Sequence, residues 1–155
     1  MRVKWGVIGA AGIADRRTIP GMMLAENAEL VSVMEVNMEL AEKIRVKYGV
    51  KKAYDNADAL IADPEVEAVY IASPVVFHRE QAIKAARAKK HILLEKPVSL
   101  VTSDGEEVER LCREQGVKAA AGFMMRFHVY HQKMKEIIAS GKLGDVVSCR
   151  AQLTC

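Results

Sequence analysis

Three short stretches of the sequence carry side chains that could bind a phosphate-bearing cofactor and act on an alcohol. They are the glycine-rich run "VIGAAGIAD", Glu35 at the end of an apolar run, and "HILLEKPVS". A glycine-rich turn between a strand and a helix points backbone N–H groups at a pyrophosphate. An ammonium group in a partly desolvated cleft hydrogen-bonds a hydroxyl and stabilises the alkoxide that develops as hydride departs. The three stretches together favour dinucleotide-dependent chemistry.

The glycine-rich run departs at one position from the dinucleotide-binding pattern G-x-G-x-x-G/A. It reads Gly9-Ala10-Ala11-Gly12-Ile13-Ala14. In that pattern the first glycine makes the tight turn, the second lets the pyrophosphate come close, and the third position lets helix and strand pack. Ala11 puts one methyl group at the second position, which narrows the approach without removing an amide donor. Small residues after a strand also serve packing alone, and that alternative stays open.

Glu35 lies roughly twenty residues beyond the turn, at the end of the second apolar run. A carboxylate there accepts hydrogen bonds from the adenosine ribose and repels a ribose 2′-phosphate. Neither Val36 nor Asn37 supplies a cation to hold such a phosphate. We therefore expect NAD as the cofactor, with NADP the less favoured choice. Two alternatives remain, because Glu35 could be a solvated strand end, and Arg16 or Arg17 could reach a phosphate.

"YIASPVVFH" and "HILLEKPVS" each end an apolar run with polar residues. Ligands of parallel sheets lie at the carboxyl ends of the strands, so we expect Ser73 and His78 to meet the cofactor. A lone histidine at a helix start also often has a structural role. At the same edge of the sheet we expect Glu95 and Lys96 to form an ion pair, with Pro97 fixing the backbone that holds the lysine. Surface residues before a turn are the alternative interpretation of that segment.

The order of the elements predicts how these stretches are positioned. Short, continuously apolar runs alternate with amphipathic helical segments, which is typical of a parallel sheet covered by helices on both faces. We therefore predict an α/β fold with a doubly wound parallel sheet. The predicted strands are Val3–Gly9, Ala28–Glu35, Lys52–Tyr54, Ala68–Ala72, His91–Glu95 and Lys118–Phe123.

Several residues mark the predicted helix ends. Asn37 is a candidate cap for a helix that begins at Met38, and Ser103 with Glu106 forms a candidate capping box. Two glycines, Gly116 and Gly141, follow helical stretches where a left-handed residue is favoured. The proline at position 20 should break or bend the helix that follows the glycine turn.

The last part of the chain differs from the rest. After a predicted helix Tyr130–Ser140, residues alternate between apolar and polar from Val147 onward, as in a strand with one solvated face. We assign residues 1–123 to a dinucleotide-binding domain, 124–145 to a connecting helix region, and 146–155 to the first strand of a truncated second domain. A half-exposed strand needs a sheet to cover it, so we expect the chain to be the first domain of a longer protein.

Composition excludes several other classes of function. The 155 residues carry a net charge of +3, and the basic residues are spread along the chain, so we expect no nucleic-acid partner. Three cysteines without CxxC spacing indicate a reducing compartment. The sequence contains no apolar segment long enough to suggest that it crosses a membrane. We expect a cytoplasmic protein without a disulfide. His128 and His131 lie close in sequence but lack a third ligand at a supporting spacing, so we expect no metal site.

Taken in order, "WGVIGAAGIAD", "ASPVVFH", "LLEKPVS" and "GFMMRFHVYHQKMKEIIASGKLGDV" resemble the glucose-fructose oxidoreductase and inositol dehydrogenase family, Gfo/Idh/MocA. The resemblance runs along essentially the whole chain. It implies an NAD(P)-dependent oxidoreductase of sugars, cyclitols or related diols. The implied architecture is a Rossmann domain followed by an α/β domain built on a large open sheet.

The resemblance also implies roles for individual residues. It places the phosphate turn at Gly9, Ala11, Gly12, Ile13 and Ala14, the adenosine contact at Glu35, the nicotinamide side at Ser73 and His78, the reaction centre at Glu95 and Lys96, and a further cofactor contact at Arg126. The Lys96–Pro97 bond is implied to be cis. Two positions depart from the family pattern: Val75 replaces a common asparagine, and Ala11 replaces a glycine, a change that relatives tolerate.

The family's catalytic histidine belongs to the second domain, and none of the four histidines of this chain matches it. We therefore expect the chain alone to bind cofactor and turn over little, and we expect the full-length protein to form a homo-oligomer. A non-catalytic dinucleotide sensor or assembly module is the alternative. A methyltransferase is a more distant one, since the Glu95-Lys96-Pro97 segment has no role there.

Overall fold

The computed structural model describes residues 1–152, and it divides into two compact units. The first unit runs from Met1 to Gly122, and the second begins at Phe123. The first unit contains the whole β-sheet, whereas the second contains one short 3₁₀-helix and one α-helix. Each unit is described by itself below.

The first unit is built on one six-stranded sheet in which every pairing of neighbouring strands is parallel. Its strands are β1 (Val3–Ile8), β2 (Ala28–Met34), β3 (Lys52–Tyr54), β4 (Ala68–Ile71), β5 (His91–Leu94) and β6 (Ala119–Ala121). The spatial order is β3-β2-β1-β4-β5-β6, so the order reverses between β1 and β4. The predicted doubly wound α/β fold is confirmed.

Helices connect the strands. They are a π-helix (Ala14–Thr18) continued by α1 (Ile19–Leu24), α2 (Met38–Tyr48), α3 (Ala57–Ala62), a 3₁₀-helix (Val75–Phe77) continued by α4 (His78–Arg87), and α5 (Thr102–Gln115). The second unit contains a 3₁₀-helix (Met124–Phe127) and α6 (Val129–Ala139). Among the described residues, no helix is both long and apolar enough to span a membrane.

Burial on both faces of the sheet explains why its strands are continuously apolar. Neighbouring residues of one strand point to opposite faces, and each face has its own core. Val7 packs with Ile19 and Ile44 from the helices on one face. Ile8 packs with Leu60 and Ala82 from the helices on the other face. A polar residue in the middle of such a strand is therefore buried, as Ser32 of β2 is, at 0% exposed.

Most predicted helix ends agree with the structure, and one does not. Asn37 accepts a hydrogen bond from the Leu40 N–H at 3.1 Å, and Gly116 ends α5 with φ of 69°. The capping box at Ser103 is wrong. Helix α5 begins at Thr102, and the preceding Val101 takes the extended cap conformation, so Ser103 already lies inside the first turn. The helix after the glycine turn changes from π to α type beside Pro20, where we expected a break.

The predicted strand at the end of the chain is not present in the part that the structure describes. Residues 146–152 have no regular secondary structure, and residues 153–155 of that predicted strand lie outside the described residues. A strand requires a hydrogen-bonded neighbour, and no described segment pairs with residues 146–152. That this segment begins a second domain stays a prediction. Of the cysteines, Cys112 and Cys149 are free thiols.

A buried carboxylate, that of Asp63, binds two side chains of the edge strand β3. Asp63 follows α3, is 4% exposed, and accepts hydrogen bonds from the Lys52 ammonium at 2.9 Å and the Tyr54 hydroxyl at 3.1 Å. The Glu65 N–H donates to it at 3.0 Å. Burial alone would raise the pKa of Asp63, but these hydrogen bonds outweigh burial and lower it. The charged form therefore stabilises the fold.

We predict that Asp63→Asn lowers the free energy of unfolding at pH 7 by about 1–3 kcal/mol, because three half-buried donors lose a buried, charged acceptor. A carboxylate with a lowered pKa stabilises the fold above its unfolded pKa and loses that effect as the pH falls. The difference between wild type and variant should therefore shrink below the ordinary carboxyl value of 3.8. Urea unfolding at pH 7 and at pH 3 measures both. Asp58→Asn is the control, because Asp58 forms an exposed ion pair with Lys84.

Candidate active site

A cavity of ≈ 540 Å³ lies at the carboxyl ends of the central strands. This is where the strand order reverses, the place where open α/β sheets bind ligands. The cavity wall takes residues from the ends of β1, β2, β3 and β4 and from the helical turns that follow: Gly9, Ala11, Gly12, Ile13, Met34, Glu35, Val36, Asp55, Asn56, Ala57, Ala72, Ser73, Pro74, Phe77 and Gln81. Six residues predicted from sequence are among them.

Gly9 is required by both its conformation and its surroundings. Its φ is +74°, which L side chains rarely adopt, and a Cβ there would lie 2.7 Å from the Ala72 carbonyl carbon and the Ser73 nitrogen. The Ala72 N–H donates to the Ile8 carbonyl at 2.8 Å, which holds the end of β4 against the end of β1. Gly12 has φ of +62° but open space around it. The two glycines therefore tolerate substitution differently.

Ala11 and Glu35 contact each other directly. The Ala11 N–H donates to the Glu35 carboxylate at 2.6 Å, across the ends of β1 and β2. The amide at the substituted second position is thus a donor, and its acceptor is the residue expected to hold the ribose. This hydrogen bond fixes the carboxylate in the cavity wall.

The remaining turn residues divide into cavity and core. Ile13 is 39% exposed and lines the cavity, whereas Ala14 is fully buried and belongs to the core beneath the turn. Asp15 accepts hydrogen bonds at 2.8 Å from the Lys47 ammonium and from the Tyr48 hydroxyl. The hydrogen bond from Lys47 is the main reason that the pKa of Asp15 is lowered. These contacts tie the start of the helix to α2.

Sequence reasoning missed several residues of the cavity wall. Asp55 and Asn56 directly follow β3, as Glu35 follows β2, so the same strand-end rule could have found them. Gln81, on α4, accepts a hydrogen bond from the Ser73 hydroxyl at 2.5 Å. Phe77, at the end of the 3₁₀-helix before α4, also lines the cavity. The cavity thus has a second carboxylate, Asp55, that the sequence analysis did not assign.

The expected ion pair between Glu95 and Lys96 is wrong. Both Glu95 oxygens are already engaged: one accepts from the Tyr70 hydroxyl at 2.7 Å, and the other accepts from the backbone N–H of Lys96 at 2.9 Å. Among residues 1–152 the Lys96 side chain forms no ion pair, and the residue is exposed. Glu95 therefore holds the backbone of Lys96 and not its ammonium group. The Lys96–Pro97 peptide bond is cis, as the resemblance implied.

Tyr70 connects this segment to the helix after the glycine turn. It is 1% exposed, and its hydroxyl accepts a hydrogen bond from the Thr18 hydroxyl at 3.0 Å. Burial, followed by the hydrogen bond to Glu95, raises the pKa of Tyr70. The hydroxyl therefore stays protonated and donates to Glu95.

His78 lies below the cavity and not in its wall. The residue is 1% exposed, and each ring nitrogen lies within hydrogen-bonding distance of a backbone carbonyl: Nδ1 is 2.9 Å from the Pro97 oxygen and Nε2 is 2.8 Å from the Ser73 oxygen. This differs from the expectation that the ring lines the nicotinamide side. A ring with both nitrogens engaged and almost no exposed surface does not contact a ligand directly.

Arg126 belongs to the second unit, where it lines a small depression with Phe127, His131 and Lys135. Its role as a cofactor contact stays a prediction. The rings of His128 and His131 lie 5.2 Å apart. Within residues 1–152, no group of three His, Cys, Asp or Glu side chains is arranged to hold a metal ion.

Comparison with known proteins identifies the family. Residues 3–123 match the family model GFO_IDH_MocA, described as an oxidoreductase family with an NAD-binding Rossmann fold. The chain belongs to this family. It is 35% identical over 147 residues to 1,5-anhydro-D-fructose reductase from Ensifer adhaerens, which covers 95% of this chain and 44% of that protein. The chain spans about half the length of the curated Gfo/Idh/MocA relatives it matches.

Two solved structures of this fold were determined with cofactors. Scyllo-inositol dehydrogenase from Lactobacillus casei, with bound NAD(H) and scyllo-inositol, superimposes with a TM-score of 0.87 at 25% identity, covering 94% of this chain and 43% of that one. A mutant 3-ketoreductase from Actinomadura kijaniata, in complex with TDP-benzene and NADP, gives a TM-score of 0.87 at 29% identity, covering 94% and 45%. Of these two structures similar to this Gfo/Idh/MocA chain, one contains NAD(H) and the other contains NADP.

We predict that Gly9→Ala lowers the free energy of unfolding by about 3 kcal/mol or more, because positive φ and a backbone clash act together. Gly12→Ala is the matched control, since it has positive φ and free space; it should cost about 1–2 kcal/mol. Urea denaturation of the two variants measures the difference. Equal losses would show that the approach between β1 and β4 is looser than the 2.7 Å distance indicates.

Proposed function

We propose that this chain is the NAD-binding part of an oxidoreductase that acts on a secondary alcohol of a sugar, cyclitol or diol. The observation that supports it most is the cavity at the strand-order reversal, which joins the glycine turn to Glu35. The residues present fit a dinucleotide, because the missing Cβ of Gly9 is what lets the turn form so close to β4. The nicotinamide of such a cofactor supplies or accepts the hydride.

The glycine turn binds the pyrophosphate in this proposal. The backbone of Gly12 and Ile13 lies in the cavity wall at the start of the helix, where N–H groups and the helix dipole favour an anion. Ala14 packs beneath and holds the turn in place. The methyl group of Ala11 narrows the approach, but its amide still serves the site by fixing Glu35.

Charge favours NAD over NADP in this cavity. Glu35 and Asp55 both lie in the wall, and none of the residues lining this cavity is Lys or Arg. A carboxylate at the ribose accepts hydroxyl hydrogen bonds, whereas a ribose 2′-phosphate would bring negative charge against both side chains without a cation. Since the Ala11 N–H holds Glu35, that carboxylate does not readily swing away from such a phosphate.

Lys96 acts on the alcohol in this proposal. Its ammonium group hydrogen-bonds the substrate oxygen and stabilises the alkoxide that develops as the hydride leaves the carbon. Glu95 accepts from the Lys96 backbone N–H and so helps to fix the backbone that carries this exposed side chain. A base outside this chain takes the alcohol proton, so the chain alone binds cofactor and turns over little. The homo-oligomer and the cytoplasmic location also remain our predictions.

We predict that NAD and NADH raise the melting temperature of this chain more than NADP and NADPH do. A ligand at a hundred times its dissociation constant adds about 2.7 kcal/mol, which raises the midpoint by several degrees in a domain of this size. Glu35→Gln should reduce the preference for NAD, because one negative charge at the ribose is lost. Glu26→Gln is the control, since Glu26 is exposed and lies outside the cavity wall.

No stabilisation by any of the four dinucleotides would contradict the proposal for this chain. Equal stabilisation by NAD and NADP, unchanged in Glu35→Gln, would contradict only the part played by the carboxylates. A thermal-shift titration therefore separates cofactor binding from cofactor choice.

We predict that Lys96→Ala, in a protein that joins this chain to its second domain, lowers kcat for polyol oxidation about 10²–10³-fold. NAD affinity should stay unchanged, because Lys96 does not line the dinucleotide cavity. Steady-state kinetics and NAD titration measure the two effects. Lys43→Ala is the control, as Lys43 is exposed on α2 and pairs with Glu39. Unchanged turnover would favour a non-catalytic dinucleotide sensor.

A further inference from the structure

His78 connects two loops that are distant in the chain. It opens α4, and its ring reaches the Ser73 carbonyl on one side and the Pro97 carbonyl on the other. Ser73 follows β4, whereas Pro97 follows β5, and these two strands are hydrogen-bonded neighbours. The imidazole therefore stands between the ends of two adjacent strands.

Each end of this connection lies next to a different part of the proposed active site. Ser73 lies in the wall of the dinucleotide cavity. Pro97 directly follows Lys96, the residue proposed to meet the substrate oxygen. Holding the two carbonyls at a fixed distance therefore also holds the cofactor cavity and Lys96 at a fixed distance. The site needs such control, because a small misplacement of reacting groups lowers the rate strongly.

The geometry of the ring suits this function. Imidazole is flat and rigid, and its two nitrogens point in different directions along the ring edge. A ring with one proton donates to one carbonyl, and a ring with both protons donates to both. The ring is 1% exposed, so water does not compete for these carbonyls.

We propose that His78 is a positioning residue that sets the distance between the cofactor cavity and Lys96. It does so from outside the cavity, by holding the carbonyl of Ser73 and the carbonyl of Pro97 on the two ends of one ring. The meaning of that distance for catalysis rests on the proposed function, whereas the connection between the loops does not.

The hydrogen bonds of Glu95 do not replace this connection. Tyr70 and the Lys96 N–H hold Glu95 on the β5 side, one residue before Lys96. Neither of these contacts reaches the loop after β4. Among the described side chains, only that of His78 has donor atoms within hydrogen-bonding distance of both the Ser73 and the Pro97 carbonyl oxygens. Loss of its ring should therefore separate the two loops while Glu95 stays in place.

Three variants test the two contacts separately. The shorter side chain of His78→Asn could place its amide near the position of Nδ1, and the longer amide of His78→Gln could reach the position of Nε2. His78→Asn should therefore keep the Pro97 contact, His78→Gln should keep the Ser73 contact, and His78→Leu should keep neither. Loss of one hydrogen bond corresponds to about a three- to tenfold change in an equilibrium.

The first measurement uses this chain without cofactor. Backbone amide resonances of Ser73 and Val98 report on the two loops. Loss of the ring alone shifts nearby resonances, and all three variants lack the ring, so His78→Leu is the reference. Relative to that reference, His78→Asn should restore the Val98 resonance and His78→Gln should restore the Ser73 resonance. Identical spectra for the asparagine and glutamine variants at both positions would overturn the proposal, whether or not the chain binds NAD.

The second measurement uses the protein joined to its second domain. Both His78→Gln and His78→Asn should lower kcat, because each releases one end of the connection. Only His78→Asn, which loses the Ser73 contact at the cavity wall, should also weaken NAD affinity, by about three- to tenfold. A general loss of stability would change both together. Val66→Ala is the matched control, because Val66 is 2% exposed and packs in the core outside both loops. It should lower the melting temperature without changing kcat and NAD affinity separately, and the same pattern in His78→Gln would overturn the proposal.

Discussion

The close approach between the ends of β1 and β4 determines the rest of the active-site region. The Ala72 N–H reaches the Ile8 carbonyl at 2.8 Å, and the absent side chain of Gly9 leaves room for the Ala72–Ser73 peptide. That contact fixes where the glycine turn lies relative to the loop after β4. The cavity opens directly above it, so the same backbone contact that completes the sheet also shapes the ligand site. The close approach of the two strands and the shape of the candidate cavity therefore depend on the same glycine.

The fold could be predicted well because its causes are local and periodic. Burial on two faces makes the central strands largely apolar, and this pattern is visible in the sequence without any tertiary information. All six strands predicted within residues 1–123 contain an observed one, whereas the strand predicted from residue 146 is not present in residues 146–152. The capping box at Ser103 failed for a different reason. Cap position depends on which residue takes the extended backbone conformation, and Val101, which has no capping side chain, takes it here.

The sequence predicted the positions of the candidate site residues more successfully than it predicted their hydrogen-bond partners. Residues at strand ends meet at one edge because the sheet is parallel, so Ser73 and Glu35 could be placed there from sequence. The partners of buried polar groups depend on neighbours distant in the chain. Tyr70 has the pattern of an apolar strand residue, yet it donates to Glu95 and takes an oxygen that was assigned to Lys96. His78 has the position of a ligand contact, yet backbone carbonyls engage both of its nitrogens.

Buried and exposed polar groups of this chain have different partners. The buried polar side chains Tyr70 and His78 contact other protein groups and hold the ends of β4 and β5, while Lys96 is left exposed and unpaired within residues 1–152. An ammonium already paired with Glu95 would have to break that pair before it met an alcohol oxygen. Because Glu95 binds the backbone instead, the ammonium group of Lys96 has no carboxylate partner to give up within residues 1–152. The arrangement thus favours a lysine that acts on a ligand over one that serves the fold.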